Sequence, residues 1–329
     1  MMALLTTVLA VALSFFNWLF AGGQMPTKLG QYFWHPLGRA ESTLKAKEQA
    51  TTCDALAKLQ PKLKTDSESF SLSASSGLAL DWRRDFYLYE KDADRELPIA
   101  SISKLMSALV FLDHNPGWNQ VYTIGENDKR DGNKLNFFPG EKVYVRDIFY
   151  SALVASDNSA IISLVNASGL SEGEFVDAMN QKAKALGMDK TRFVEPTGLS
   201  DLNTSTARDV AKLIQESMKD MDIRRAVLAD KYELEIINKP AKAKAQHRVI
   251  KNTDQLLHSD DLSVKIIGGK TGYLNKAGYC FAGSFQKDDQ KIITVVLGAA
   301  DQDARFAETQ RLLNWIFKNY EWPKATANN

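Results

Sequence analysis

Pro98-Ile99-Ala100-Ser101-Ile102-Ser103-Lys104 is the stretch from which this 329-residue chain can be read. Before it the apolar residues alternate, in Phe70-Ser71-Leu72-Ser73-Ala74 and again in Asp85-Phe86-Tyr87-Leu88-Tyr89, with Trp82-Arg83-Arg84 as the turn between two strands. After it the spacing becomes helical. Pro98 fixes the backbone at the approach, so Ser101 falls at or just inside the first turn of a helix. Lys104 follows three residues on and shares its face. The stretch is therefore where a strand hairpin hands over to a helical block.

The block continues through Val145 to Ala167, one apolar helix interrupted near Ser156, then Glu174 to Leu186, then Thr206 to Met218 with Ser205 as N-cap. Strands return at Ser263–Gly268, Gly278–Phe285 and Lys291–Gly298, with Asp288-Asp289 turning the last pair. Asp303 to Tyr320 closes as a helix. Strands, helices, strands and a helix predict an α/β (α+β sandwich) domain. The first and last strands of this domain share one antiparallel sheet, flanked by helices and joined to a mainly helical subdomain.

Upstream, Ala3 to Ala21 is uncharged and nearly all apolar, long enough to span a bilayer. Ala21-Gly22-Gly23 supplies small residues for cleavage, so residues 1–23 read as a signal peptide or an N-terminal membrane anchor, either of which places the remainder outside the cytoplasm. Residues 24–69 read as a linker and helical spacer, the helix covering Glu41 to Leu63. Residues 70–322 read as the main folded domain and 323–329 as a tail. Composition is ordinary, with 44% hydrophobic residues, 25% charged and a formal net charge of +1, which gives no argument for nucleic acid. Cys53 and Cys280 are too few and too far apart for a disulfide framework, and Cys280 reads as a small buried residue.

Ser-x-x-Lys also occurs at Ser42 and at Ser284, about as often as chance allows at average composition. Only the copy at Ser101 has Ser156-Asp157-Asn158 and Lys270-Thr271-Gly272 downstream of it in plausible surroundings. A serine hydroxyl needs a base, and lysine serves only when partly neutral. Burial and a second cation lower a lysine pKa, and Lys270 is the natural second cation. Ser156 can relay a proton between Lys104 and a leaving amine, and Asn158 can orient Lys104 and donate to a substrate amide. Read alone, Ser156-Asp157-Asn158 is equally a helix-capping turn. Lys270-Thr271-Gly272 belongs to a strand at the edge of a cleft, where Gly272 admits close backbone approach. An extended peptide adds to such a strand by main-chain hydrogen bonds. The N–H groups of Ser101 and Tyr273 suit an oxyanion hole, and Thr271 and Lys270 suit a carboxylate or amide. No Gly-x-Ser-x-Gly, His-Glu-x-x-His or Cys-x-x-Cys supports a histidine triad or a metal site.

With Phe138-Pro139-Gly140-Glu141, Phe193-Val194-Glu195-Pro196-Thr197-Gly198-Leu199, Ser205-Thr206-Ala207-Arg208-Asp209, Lys251-Asn252-Thr253 and Lys270 to Tyr279, the three strings resemble the low-molecular-mass penicillin-binding proteins of the D-alanyl-D-alanine peptidase family. The resemblance implies a β-lactamase/DD-peptidase-like fold and an acyl-enzyme at Ser101. It implies peptidoglycan stem peptides as substrate, β-lactams as inhibitors, and no cofactor. Two other readings stay open: a class A-like β-lactamase, or a non-catalytic wall-binding or sensor module. The Glu-x-x-Leu-Asn loop of class A β-lactamases has no counterpart, since no Glu stands at that offset before Leu202-Asn203. Asn252-Thr253-Asp254, where many carboxypeptidases carry a basic residue, resembles the endopeptidase branch.

Overall fold

A computed structural model describes residues 60–132, 136–238, 247–259 and 262–323. In chain order the elements begin with β1 (Lys62–Leu63), the hairpin β2 (Ser76–Asp81) and β3 (Phe86–Lys91), and β4 (Leu97–Pro98). The helical block follows: α1 (Ser103–Asp113), the short pair β5 (Val121–Thr123) and β6 (Lys142–Tyr144), α2 (Val145–Val154), α3 (Asn158–Ala167) and α4 (Glu172–Ala185). Then come β7 (Thr204–Ser205), α5 (Ala207–Ser217), α6 (Met221–Leu228), and the hairpin β8 (Lys231–Glu235) and β9 (His247–Lys251). The chain closes with β10 (Lys265–Leu274), β11 (Gly278–Lys287), β12 (Gln290–Ala299), α7 (Gln302–Asn319) and β13 (Tyr320–Glu321).

The main sheet has the order β10-β11-β12-β2-β3, every neighbouring pair antiparallel. The early hairpin therefore joins the late strands, as the strand-helix-strand pattern predicts. Period-two alternation divides the sheet between two cores. Leu78, Leu80, Ile293 and Val295 face one core with α1, α2 and α5. Ala79, Leu88, Phe281, Phe285 and Ile292 face another with Phe306, Leu312, Leu313 and Ile316 of α7. Helices thus cover both faces. Inside the helical block α1 is buried from Ser103 through Phe111, which accounts for its lack of a polar face.

Three local expectations change. Phe70–Ala74 is not a strand; strand structure starts at Ser76. Its alternation reports burial, for Leu72 and Ala74 are buried while Ser71 and Ser73 are exposed. Its N–H groups go to side chains, Leu72 to the Tyr89 hydroxyl at 3.1 Å and Ser73 to Glu308 at 2.9 Å. The cap of α5 is Thr206, which accepts from Asp209 N at 3.1 Å, because Ser205 is paired with Leu97 in the β4–β7 ladder. The spacer helix falls outside the described residues except at its end, where Lys62–Leu63 is a strand paired with Tyr320–Glu321. The apolar segment 1–23 and Cys53 also lie outside the described residues, and Cys280 is buried and free. Among the described residues no helix is long and apolar enough to cross a membrane.

Candidate active site

Ser101 lies in a 3₁₀ turn, Ala100–Ile102, that runs directly into α1. The β4–β7 pairing places the loop from Glu195 to Asn203 against this turn, and Ile99 N donates to Asn203 O at 3.1 Å. Gly198 sits in the left-handed region, where a Cβ would stand 2.1 Å from Ala100 O. From the other side β10 passes so close that a Cβ on Gly272 would come within 2.8 Å of Ile99 O. Only glycine fits between a strand and a helix start at that separation. Ala100 and Ser156 both hold positive φ, 48° and 57°, which costs energy for residues with a Cβ. Two strained residues thus mark the strings, Ala100 beside the first and Ser156 within the second.

Lys104 is fully buried, with its Nζ at 2.8 Å from Ser101 Oγ. It also donates to Asn158 Oδ1 at 2.6 Å and to the carbonyl of Thr197 at 2.5 Å. Burial pushes its pKa down to about 7, against the upward pull of the Glu195 and Asp157 carboxylates. The arrangement has a direct chemical consequence. A neutral amine keeps two N–H bonds and one lone pair. The two carbonyl-type acceptors take both hydrogens, so the lone pair faces Ser101.

Asn158 opens α3, just past the break in the apolar helix that the sequence places near Ser156. Asp157 caps α3 by accepting from Ala160 N at 3.1 Å. The helix-capping reading of the string and the site reading hold together: Asp157 caps, and its two neighbours point to the lysines. Asn158 Nδ2 donates to Asp131 O at 2.8 Å. Lys270 Nζ, buried in β10, donates to Ser156 Oγ at 2.8 Å. Burial, with Lys104 and Arg305 nearby, holds the Lys270 pKa well below the ordinary value, while Asp254 opposes the shift. Thr271 Oγ1 lies 2.6 Å from Thr253 Oγ1, and Arg305 Nη1 donates to Gly272 O at 3.2 Å.

A cleft with two lobes meets at Ser101, Gly132 and Tyr273. One lobe, of about 440 Å³, runs between Gly198–Asp201 and Leu274–Lys276. The other, of about 300 Å³, is lined by Ser156, Thr253, Thr271 and Arg305. All eight residues singled out from the sequence lie at this junction or directly beneath it: Ser101, Lys104, Ser156, Asn158, Lys270, Thr271, Gly272 and Tyr273. Sequence reasoning missed the carbonyls of Thr197 and Asp131, which carry no side-chain signature. It also missed Arg305, one arginine on a helix. It gave Glu195 no role of its own, yet that carboxylate organises the loop. Its oxygens accept from Thr197 N and Oγ1, Gly198 N, Ser200 N and Asn203 Nδ2.

Comparison with known proteins gives a consistent picture. The family model described as D-alanyl-D-alanine carboxypeptidase matches residues 62–301. The chain is 34% identical to a D-alanyl-D-alanine endopeptidase of Pseudomonas aeruginosa, over 74% of this chain and 77% of the relative. It is 32% identical to a D-alanyl-D-alanine endopeptidase of Escherichia coli, over the same shares. Among solved structures, the Streptomyces DD-transpeptidase superposes with a TM-score of 0.69 at 26% identity, covering 76% of this chain and 99% of that one.

Proposed function

The chain belongs to the D-alanyl-D-alanine carboxypeptidase family, and from that premise we propose that it is a serine-type D-alanyl-D-alanine peptidase acting on peptidoglycan stem peptides through an acyl-enzyme on Ser101. The observation that carries the proposal is the contact of Lys104 Nζ with Ser101 Oγ, with both remaining hydrogens of the amine engaged elsewhere. Neutral Lys104 takes the Ser101 proton as Oγ attacks the carbonyl of the penultimate D-alanine. The oxyanion is received by the N–H groups of Ser101 and Tyr273. The C–N bond breaks, and Ser156, held by Lys270, gives its hydroxyl proton to the departing amine while receiving the one that Lys104 took, so that Ser156 is restored and Lys104 is neutral again. Water then attacks the ester with Lys104 again as base, restoring Ser101 and releasing the acid.

The lobe beside Thr271 takes the leaving group, and the larger lobe takes the acyl donor laid along β10. We assign the chain to the cross-link endopeptidases within this chemistry. What supports this is the stretch Asn252-Thr253-Asp254, which holds no basic residue where many carboxypeptidases carry one, and the endopeptidase names of the two relatives above; the Thr253 hydroxyl is already engaged with Thr271. A β-lactam follows the first half of the path: its ring amide opens, its nitrogen is protonated, and the acyl group stays on Ser101. The second half is slow for such an adduct, because the opened ring keeps its nitrogen tethered to the acyl group and leaves it where water must enter, and Glu195, with both oxygens bonded within its own loop, offers no second base. That separates the chain from a class A-like β-lactamase. The apolar run Ala3–Ala21 would carry the domain across the cytoplasmic membrane, by cleavage or as an anchor.

The test is intact-protein mass spectrometry of residues 24–329 with benzylpenicillin, beside Ser101→Ala. One lasting adduct of the mass of one penicillin, absent from the variant, is the expected result. Turnover of penicillin with no adduct would return the β-lactamase reading, and neither adduct nor turnover would leave a binding module. Incubation with cross-linked dimeric muropeptides and with monomeric pentapeptides then separates the two peptidases: an endopeptidase resolves the dimers and spares the pentapeptides.

A further inference from the structure

The string Phe138-Pro139-Gly140-Glu141 takes no part in the acyl-transfer steps, yet its acid is buried in a clamp that reaches toward them. The Glu141 side chain is 1% exposed and pairs with Arg248 of β9, Nη1 to Oε2 at 2.7 Å and Nη2 to Oε1. The same guanidinium lies 4.9 Å from the centre of the Phe138 ring and donates from Nη1 to the carbonyl of Asn136 at 2.7 Å. Phe138 N donates to Glu141 Oε2 at 2.9 Å, which closes the turn. A planar fork makes these contacts at once, and a lysine does not. A buried ion pair adds little stability over apolar side chains of the same volume; what it adds is placement. The residue placed is Asn136. Its amide spends both hydrogens on the corner between α2 and α3, one on Ser151 Oγ at 3.2 Å and one on Asp157 Oδ2 at 2.9 Å.

We propose that Asn136 is a positioning residue for acylation, held by the Arg248–Glu141 pair and acting on Lys104 through Asp157. The inference rests on the peptidase reading above and adds a residue to it. Asp157 accepts from two further donors, Ser151 Oγ at 3.0 Å and Ala160 N at 3.1 Å, and both belong to the corner itself. Asn136 therefore ties the corner to a different part of the chain. The corner needs the tie, because Ser156 holds a positive φ, which persists only where the surroundings fix it. On either side of Asp157, Ser156 and Asn158 accept from Lys270 and Lys104. The charges around Lys104 come from three elements. Asp157 ahead of α3 and Glu195 in its loop raise the Lys104 pKa against burial, and Lys270 of β10 is the neighbouring cation. A corner that turns away takes the Asp157 carboxylate out of this balance. The Lys104 pKa then falls further, and Asn158 no longer aims the amine at Ser101.

The experiment measures the rate of acylation by benzylpenicillin against pH around neutrality, per folded molecule as judged by circular dichroism. It compares the full-length wild type with Asn136→Ala, Arg248→Lys and the double variant. Asn136→Ala removes the link and leaves the buried ion pair intact, so it reads the chemistry even where Arg248→Lys folds poorly. It should acylate about ten- to hundredfold more slowly, the scale of a small misplacement at a distance. Its pH midpoint should fall below the wild-type value of about 7. Arg248→Lys should lose a similar factor, and the double variant no more than the worse single one, because the two act in series. Wild-type rate and midpoint in Asn136→Ala would overturn the inference. So would a slower rate at an unmoved midpoint, which is what a merely loosened fold gives, and so would losses that multiply in the double variant. Failure of the wild type itself to acylate would instead overturn the catalytic reading.

Discussion

The two walls of the cleft are built on different principles. The helical wall gathers Ser101, Lys104 and Asn158 from two separate segments, and each is fixed by contacts its side chain makes. Lys104 alone touches three partners drawn from three places in the chain. The sheet wall gathers Lys270, Thr271, Gly272 and Tyr273 from consecutive positions of one strand, fixed by the register of β10 on β11. Side-chain contacts tune chemistry; strand register positions a ligand. Damage to the first wall should therefore appear in the rate of acylation, and damage to the second in the affinity for donor and leaving group.

The largest test of that contrast is Ser101→Ala, which should abolish both penicillin adduct and peptide cleavage while substrate still binds, as judged by calorimetry. Next is Lys104→Met, expected to slow acylation by about 10²–10⁴-fold, the range for a positioned base. The pH dependence sharpens it. Because burial brings the Lys104 pKa down to about 7, the competent neutral form grows as pH rises, so the wild-type acylation rate should climb and level off above about pH 7. A rate falling over that range would mean the charged form acts. The stability sign is opposite to that of an ordinary paired lysine. The cost of burying the charge is fully present below about pH 7 and is relieved as pH rises toward the unfolded value.

Glu195→Ala probes a residue that touches neither nucleophile nor donor. It strips acceptors from Thr197, Gly198 and Ser200, and should cost about 2 kcal/mol in urea unfolding. It should also slow acylation, because Thr197 O no longer holds Lys104. A change in KM alone would break the contrast. Thr253→Val is the smallest: the Thr271 hydroxyl loses its partner at 2.6 Å, and KM should rise a few-fold, about 1 kcal/mol, with kcat nearly unchanged.

Much of this was legible in the chain, and the misses share a cause. Side-chain chemistry announces itself in order and spacing, so the three strings and the break near Ser156 were readable. The late strands were readable because their apolar runs end in clear turns. Acceptors supplied by backbone were not. Any residue brings a carbonyl, so nothing in the sequence distinguishes Thr197 or Asp131. The alternation in Phe70–Ala74 was real, yet it described which side chains are buried, since the N–H groups there bond to Tyr89 and Glu308 rather than to a ladder. The β8–β9 hairpin, whose described strands are mostly exposed and charged, carries too weak an apolar pattern to be seen.

The small pairing of Lys62–Leu63 with Tyr320–Glu321 has an engineering consequence. It brings the first and last described strands of the domain side by side, far in sequence but adjacent in space. A short peptide could join them, and the chain could be opened anew at Asp288-Asp289, the tight turn between β11 and β12. Such a circular permutant keeps every string of the site on its own uncut segment. It moves the free ends to a surface turn, and so offers a fusion point remote in sequence from the nucleophile.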